Sequence, residues 1–150
     1  MDILAACISC GSAGLELILS LGLMPLTDSY LSPDQLSLPE TYYPLDLSFC
    51  AACSLVQILY RVPPEEMFED YQYYSSFSET LLAHSRAHVH ELISSRALGP
   101  DNLIVELASN DGYLLRYFVD EGIPVLGIDP ARGPAEAAEA IGAPTTSSAC

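Results

Sequence analysis

A chain of 150 residues, half of them hydrophobic, is long enough to bury a core in one ordinary domain or two small ones. Its formal charge of −15, with five Arg and no Lys, leaves no basic face for a phosphate backbone and argues against nucleic acid and against an anionic membrane surface. No apolar run approaches the roughly 18 residues that span a bilayer, and no secretory n-region or apolar h-region opens the chain, so a cytoplasmic protein is expected.

In chain order, the first signal is a cysteine pair, Cys7-Ile-Ser-Cys10, followed by Gly11, where the turn past the second cysteine must open toward sulfur. A second pair, Cys50-Ala-Ala-Cys53, follows after 39 intervening residues, which must form a loop or hairpin of their own. Two such pairs supply the four sulfurs of a closed structural zinc site, with no coordination position left for catalysis. Four buried thiols or two disulfides are the plainer readings, and a reducing cytosol disfavours the second. Residues 15–21 are a strand candidate, and the proline-rich stretch 25–39 is mostly loop. Tyr43, Leu45, Leu47 and Phe49 alternate with Pro44, Asp46 and Ser48, a period of two that marks a half-buried strand running into Cys50. Residues 55–60 form the returning strand. Residues 1–62 therefore read as a β-rich zinc-binding module.

Pro63-Pro64 marks a boundary, and residues 63–100 read as a tyrosine-rich connector and helix. Ser76 and Glu79 have the spacing of a capping box. The helix that they open carries Leu82, Val89, Leu92 and Ile93 as one stripe and stops at Gly99-Pro100. His84 and His88 share a helix face, but with Ser85 between them and no third ligand they and His90 read as surface histidines. Glu65, Glu66, Glu69 and Asp70 read as a solvated acidic face.

From residue 101 the pattern turns β-α-β. Residues 103–107 read as a short apolar run ending in a turn, as buried parallel strands do, 112–121 as a helix with Leu114, Leu115, Phe118 and Val119 inward, and 125–128 as the second strand. A short helix over 134–141 is closed by Gly142, and the tail after it, with the odd cysteine Cys150, has no pattern of its own. The loop Glu106-Leu-Ala-Ser-Asn-Asp-Gly112 sits where a doubly wound sheet places its ligand. Asp129, 23 positions after Glu106, ends the next strand, where an acidic residue holds ribose hydroxyls. The dinucleotide rhythm would fall on Ala108, Asn110 and Tyr113, and Tyr113 blocks the close approach of helix and strand. The rhythm of an S-adenosylmethionine loop falls on Glu106, Ala108, Asn110 and Gly112, where Ala is small and Asn tolerates a left-handed backbone. A non-binding α/β turn is the plain alternative. Asp111 fits a helix cap or a contact to the methionine amine.

Taken together, Cys-x-x-Cys-Gly, Tyr-Pro-Leu-Asp-Leu before the second Cys-x-x-Cys, Leu-Val-Gln, Asp70-Tyr-Gln-Tyr-Tyr-Ser-Ser, the loop from Val105 to Leu115 and Leu126-Gly-Ile-Asp-Pro-Ala131 resemble one family. It is the zinc-containing, S-adenosylmethionine-dependent C-methyltransferases that act on nucleotide-linked keto-deoxysugars. The resemblance runs from Cys7 to the region of Gly142. It implies an α/β protein (α+β overall) with a zinc module, a connecting helix and, over 101–150, the first part of a Rossmann-like methyltransferase domain. It also implies Cys7, Cys10, Cys50 and Cys53 as zinc ligands. Glu106, Ala108, Ser109, Asn110, Asp111 and Gly112 would line the methionine side of the cofactor, Asp129 would hold its ribose, and Tyr71 and Tyr73 would lie over cofactor and sugar. Family members are two to three times longer, so the chain is expected to be an N-terminal fragment, inactive alone, with no general base among its residues and an open sheet edge that invites self-association. The rival readings are a non-enzymatic zinc-ribbon module for protein partners and an NAD-linked oxidoreductase.

Overall fold

The structure, a computed structural model, describes residues 2–68 and 70–147. Glu69 and Cys150 lie outside them. Met1–Met67 and Phe68–Cys150 are the two compact units of the chain.

In the first unit, β1 (Asp2–Ile3) pairs antiparallel with β5 (Tyr60–Arg61). A second sheet has the order β2 (Leu15–Met24), β3 (Tyr43–Cys50), β4 (Val56–Ile58), all antiparallel. The register places Leu15 opposite Cys50 and Phe49 opposite Val56, so the strand ends carry both cysteine turns. The proline-rich stretch is loop apart from one 3-10 turn at Gln35–Ser37. A short helix, α1 (Pro64–Phe68), begins at the second of the two prolines, and Tyr43 donates its hydroxyl hydrogen to Glu66 there. Along β3, expected as a half-buried strand, Leu45, Leu47 and Phe49 are half-buried, and the residues wholly inside are Ser48 and Cys50. The reason is the cysteine cluster: the face that holds Cys50 is the interior, and its period-two neighbour goes in with it.

The second unit is built on a parallel sheet of β6 (Ile104–Leu107), β7 (Val125–Ile128) and β8 (Thr145–Thr146), in that order. The crossovers are α3 (Arg116–Asp120) and α4 (Arg132–Ala140). The long helix α2 (Glu79–Arg96) precedes the sheet. Val89 of α2, Leu115 and Phe118 around α3, Ile123, Val125, Ala138 and Ala143 form one buried cluster. The helix expected as a connector thus belongs to the core.

Several expectations are corrected here. The side chain that caps α2 is Ser78, which accepts the Leu81 N–H at 3.2 Å. Ser76 lies instead in a 3-10 turn at Ser75–Phe77. The helix ends at left-handed Ala97, two residues before the expected glycine, and Leu98 N–H closes on the Ile93 carbonyl at 3.0 Å. Strand β6 is covered on one face only: Val105 and Leu107 stand exposed, Leu107 by 72%. The sheet strand β8 lies in the tail that showed no pattern, because two residues are too few to display a period. The helix expected from residue 112 begins at Arg116, after turns that carry the loop past the sheet.

Candidate functional site

The cysteine turns of the first unit repeat one design. Gly11 N–H donates to the Cys7 carbonyl at 2.9 Å, and Ser54 N–H donates to the Cys50 carbonyl at 2.8 Å. Cys7 N–H reaches the Ser12 carbonyl, and Cys50 N–H the Leu55 carbonyl, at 2.8 and 2.9 Å. The residue after each second cysteine is left-handed, Gly11 at φ +73° and Ser54 at φ +65°. Glycine takes that conformation without penalty, whereas Ser54 holds it at a cost of about 1 kcal/mol.

These turns bring Cys7, Cys10, Cys50 and Cys53 together with all four Sγ atoms within 4.8 Å of one another. The Cys7–Cys53 and Cys10–Cys50 sulfurs are 3.5 and 3.6 Å apart. Tetrahedral zinc with bonds of about 2.3 Å spaces its sulfurs by roughly 3.8 Å, so the cluster fits that ion. All four are free thiols, which sets aside the disulfide reading. The Cys10 backbone N–H brings the Cys7 thiol down to about 6, against the opposing effect of burial. At Cys53 the Leu55 N–H favours the thiolate, but the Cys10 and Cys7 sulfurs outweigh it and push the thiol up to about 12. A divalent cation relieves that competition by neutralising all the sulfurs at once. Gln57, buried on β4, braces the first turn by accepting the Ile8 N–H at 3.0 Å. Among the described residues this is the one grouping of three or more His, Cys, Asp or Glu donors close enough for a metal. His84 and His88 are exposed with parallel rings whose centroids are 6.3 Å apart, and His90 faces Glu121 at 3.6 Å.

In the second unit, the chain leaving β6 passes through three left-handed residues, Ala108, Asn110 and Gly112, at φ +57°, +48° and +73°. They are the three positions that the adenosylmethionine rhythm picks out. Asp129 sets the curvature of the loop. Its Oδ2 accepts the Asn110 N–H at 2.7 Å and its Oδ1 the Ala131 N–H at 2.8 Å, so one carboxylate spans the ends of β6 and β7. Ala108 N–H adds a bond to the Ile128 carbonyl at 2.8 Å. The strands approach so closely that a Cβ on Gly127 would lie 2.5 Å from both Ser109 Oγ and Thr145 Oγ1.

This loop holds Glu106 Oε2, Ser109 Oγ and Asp111 Oδ1, all buried and all without a hydrogen-bond partner. A buried unpaired polar atom costs roughly 1–3 kcal/mol, so these three leave hydrogen-bonding capacity that donors of a ligand or of water would satisfy. Burial, reinforced by the Asp129 charge, raises the Glu106 carboxyl to about 7. Tyr113 is raised by burial first and then by the charges of Glu106, Tyr73 and Asp111 in its neighbourhood. Tyr71 is half-buried, edge-on to Phe68 and Tyr73. The structure ties the Tyr73 backbone to the loop through Asn110 Nδ2 and ties Asp129 into the backbone. Tyr113 has these charged neighbours although its position in the sequence gave it only an obstructive role. Its nearness to Glu106 across a turn carries no local pattern.

Two comparisons with known proteins bear on this chain. Residues 7–68 match a family model described as "Putative zinc binding domain" of the Methyltransf_13 type. Over 139 residues, 93% of the chain, the sequence is 32% identical to the C-methyltransferase NovU of Streptomyces niveus, and it spans 33% of that relative's length. The chain is therefore similar over most of its own length to about a third of a C-methyltransferase, and its first unit to the zinc-binding domain of a methyltransferase family.

Proposed function

We propose, with that family as premise, that the loop from Glu106 to Gly112 binds S-adenosylmethionine and that the chain serves methyl transfer to a carbon beside a ketone of a nucleotide-linked deoxysugar. The observation that carries this reading is the trio of unpartnered buried acceptors at Glu106, Ser109 and Asp111. Two carboxylates there, with Asp129 nearby, suit a cationic, donor-rich ligand and repel a pyrophosphate, which disfavours NAD. Adenosylmethionine supplies an electrophilic methyl group on a positively charged sulfur.

The residues of this chain then bind and orient. Glu106 and Asp111 accept from the ammonium end and favour the positive ligand. Asp129 holds the loop and keeps a second acceptor position on each oxygen for ribose hydroxyls. Tyr71, Tyr73 and Tyr113 supply the aromatic wall and exclude water. Cys7, Cys10, Cys50 and Cys53 hold zinc in a structural role, since four sulfurs complete its coordination. The parallel sheet and its ligand loop follow a Rossmann-like layout.

Calorimetric titration of the zinc-loaded chain with adenosylmethionine and, separately, NAD tests the reading. Saturable binding of adenosylmethionine that weakens in Glu106→Gln supports it. Equal affinity for NAD, or no effect of that substitution, sinks it. A second reading, a zinc module for protein contact, is favoured by the exposed apolar side chains of β2, among them Leu17, Ile18 and Leu23.

A further inference from the structure

Both polar atoms of the Asn110 side chain are engaged by the segment that leads into α2. Ser75 N–H donates to Asn110 Oδ1 at 2.8 Å, and Asn110 Nδ2 donates to the Tyr73 carbonyl at 3.1 Å. Beside it, Ser76 N–H donates to Asp111 Oδ2 at 3.2 Å. The Asn110 backbone N–H meanwhile donates to Asp129. One residue thus links the end of β7, the ligand loop and the aromatic segment. The Tyr74 hydroxyl seats the same segment near α4, 2.7 Å from where a Cβ on Gly133 would stand.

The geometry points to Asn110 as a positioning residue, with Asp111 Oδ2 as a second fastening: together they hold residues 73–76 against the loop so that Tyr73 walls the bound ligand. This rests on the adenosylmethionine reading of the loop. A tyrosine on an irregular segment loses rotamer and backbone freedom when it closes on a ligand, and fastening the backbone on both sides of Tyr74 beforehand removes part of that loss. Asparagine meets three requirements together: an acceptor for Ser75, a donor for Tyr73, and tolerance of a left-handed φ. Aspartate keeps the acceptor and lacks the donor. Glycine keeps the backbone and lacks both.

The test uses the zinc-loaded full chain and four variants: Asn110→Gly, Asn110→Asp, Tyr73→Ala and the Asn110→Gly/Tyr73→Ala double. Amide exchange at Ser75 and Ser76 reads the fastening without any ligand, and the Kd for adenosylmethionine reads its use. Asn110→Gly should abolish protection at Ser75 while the α2 amides keep theirs, and should weaken binding roughly fivefold to tenfold. With Tyr73 already removed, the same change should cost roughly twofold or less, because the two residues act as one unit. Asn110→Asp should keep Ser75 protected and fall between. Retained protection at Ser75 in Asn110→Gly, or losses that multiply in the double variant, would overturn the proposal. If the unmodified chain fails to bind adenosylmethionine while Ser75 protection depends on Asn110, the cofactor reading falls and takes the positioning role with it, leaving a purely structural bond.

Discussion

The two units, similar in length, solve the problem of chain entropy by different means. Among the described residues of the first unit, the buried ones are Cys7, Cys50, Ser48 and Gln57, and no Leu, Ile, Val or Phe side chain joins them. Its ten-residue strand β2 leaves Leu17, Ile18, Leu19, Leu21 and Leu23 exposed. The second unit buries Val89, Leu115, Phe118, Ile123 and Val125 together. A small module that cannot assemble an apolar interior relies on an ion, whereas one with two crossover helices and a packed third relies on area removed from water. Burial alone therefore says little about what a substitution will do; the kind of group that is buried decides.

The largest expected effect is on the first unit. Removing the metal with a chelator, or substituting Cys50→Ser, should withdraw on the order of 10 kcal/mol of folding free energy. Exchange protection in β2, β3 and β4 should vanish while β6, β7 and α2 keep theirs. Mass spectrometry that finds no zinc in reduced, freshly purified protein, or unfolding of both units together, would contradict the division.

The converse is Phe118→Ala, which empties the best-buried aromatic position and should cost about 3–5 kcal/mol. Denaturant titration followed at residues of α2 and β7 should show the loss, with the cysteine turns unmoved and still metal-loaded. An equal loss in the first unit would mean that the two share one cooperative transition.

Next comes Asp129→Ala, which leaves the Asn110 and Ala131 N–H groups without their charged acceptor and should cost roughly 2–3 kcal/mol. Exchange at those two amides should speed up markedly, and in a full-length relative carrying this segment affinity for adenosylmethionine should fall roughly tenfold to a hundredfold. Unchanged exchange would place the loop's support elsewhere.

The smallest effect depends on pH. Glu106 has its carboxyl raised by burial from 4.5 to about 7, so the folded chain holds that proton more tightly than the unfolded one. The associated stability is present below about pH 4.5 and is lost as pH rises through about 7. Glu106→Gln removes the burden of an ionised buried carboxylate. It should therefore stabilise the fold by about 1 kcal/mol at alkaline pH, after allowance for partial solvent screening, which reads as a higher Tm than the parent's, and be nearly neutral at acid pH. A pH-independent difference in Tm would refute the cause given.

Much of this architecture could be read from the sequence where chemistry and spacing coincide. The cysteine pairs, the strand leading into Cys50, the β-α-β run and the positions of the loop turns all follow from patterns of a few residues. What escaped was set by tertiary context. Ser48 is interior because Cys50 is, and no alternation of Leu and Phe reveals that. The choice of Ser78 over Ser76 as cap depended on the Ser75 and Ser76 amides being claimed by Asn110 and Asp111, more than thirty residues away. The third strand needed the pairing of Gly127 with Thr145 before two threonines could count as an element. Tyr113 shows the same limit within the site: its bulk was readable, its neighbours Glu106 and Tyr73 were not.

Ala108 holds its left-handed φ of +57° without being glycine. An alanine there carries the steric cost of the left-handed region that a glycine escapes, and its neighbours in the fold must supply the difference. If adenosylmethionine binds there as proposed, a loop already held in this shape should take it up in a single encounter step, with a rate set by diffusion and charge and not gated by a slow rearrangement of the loop.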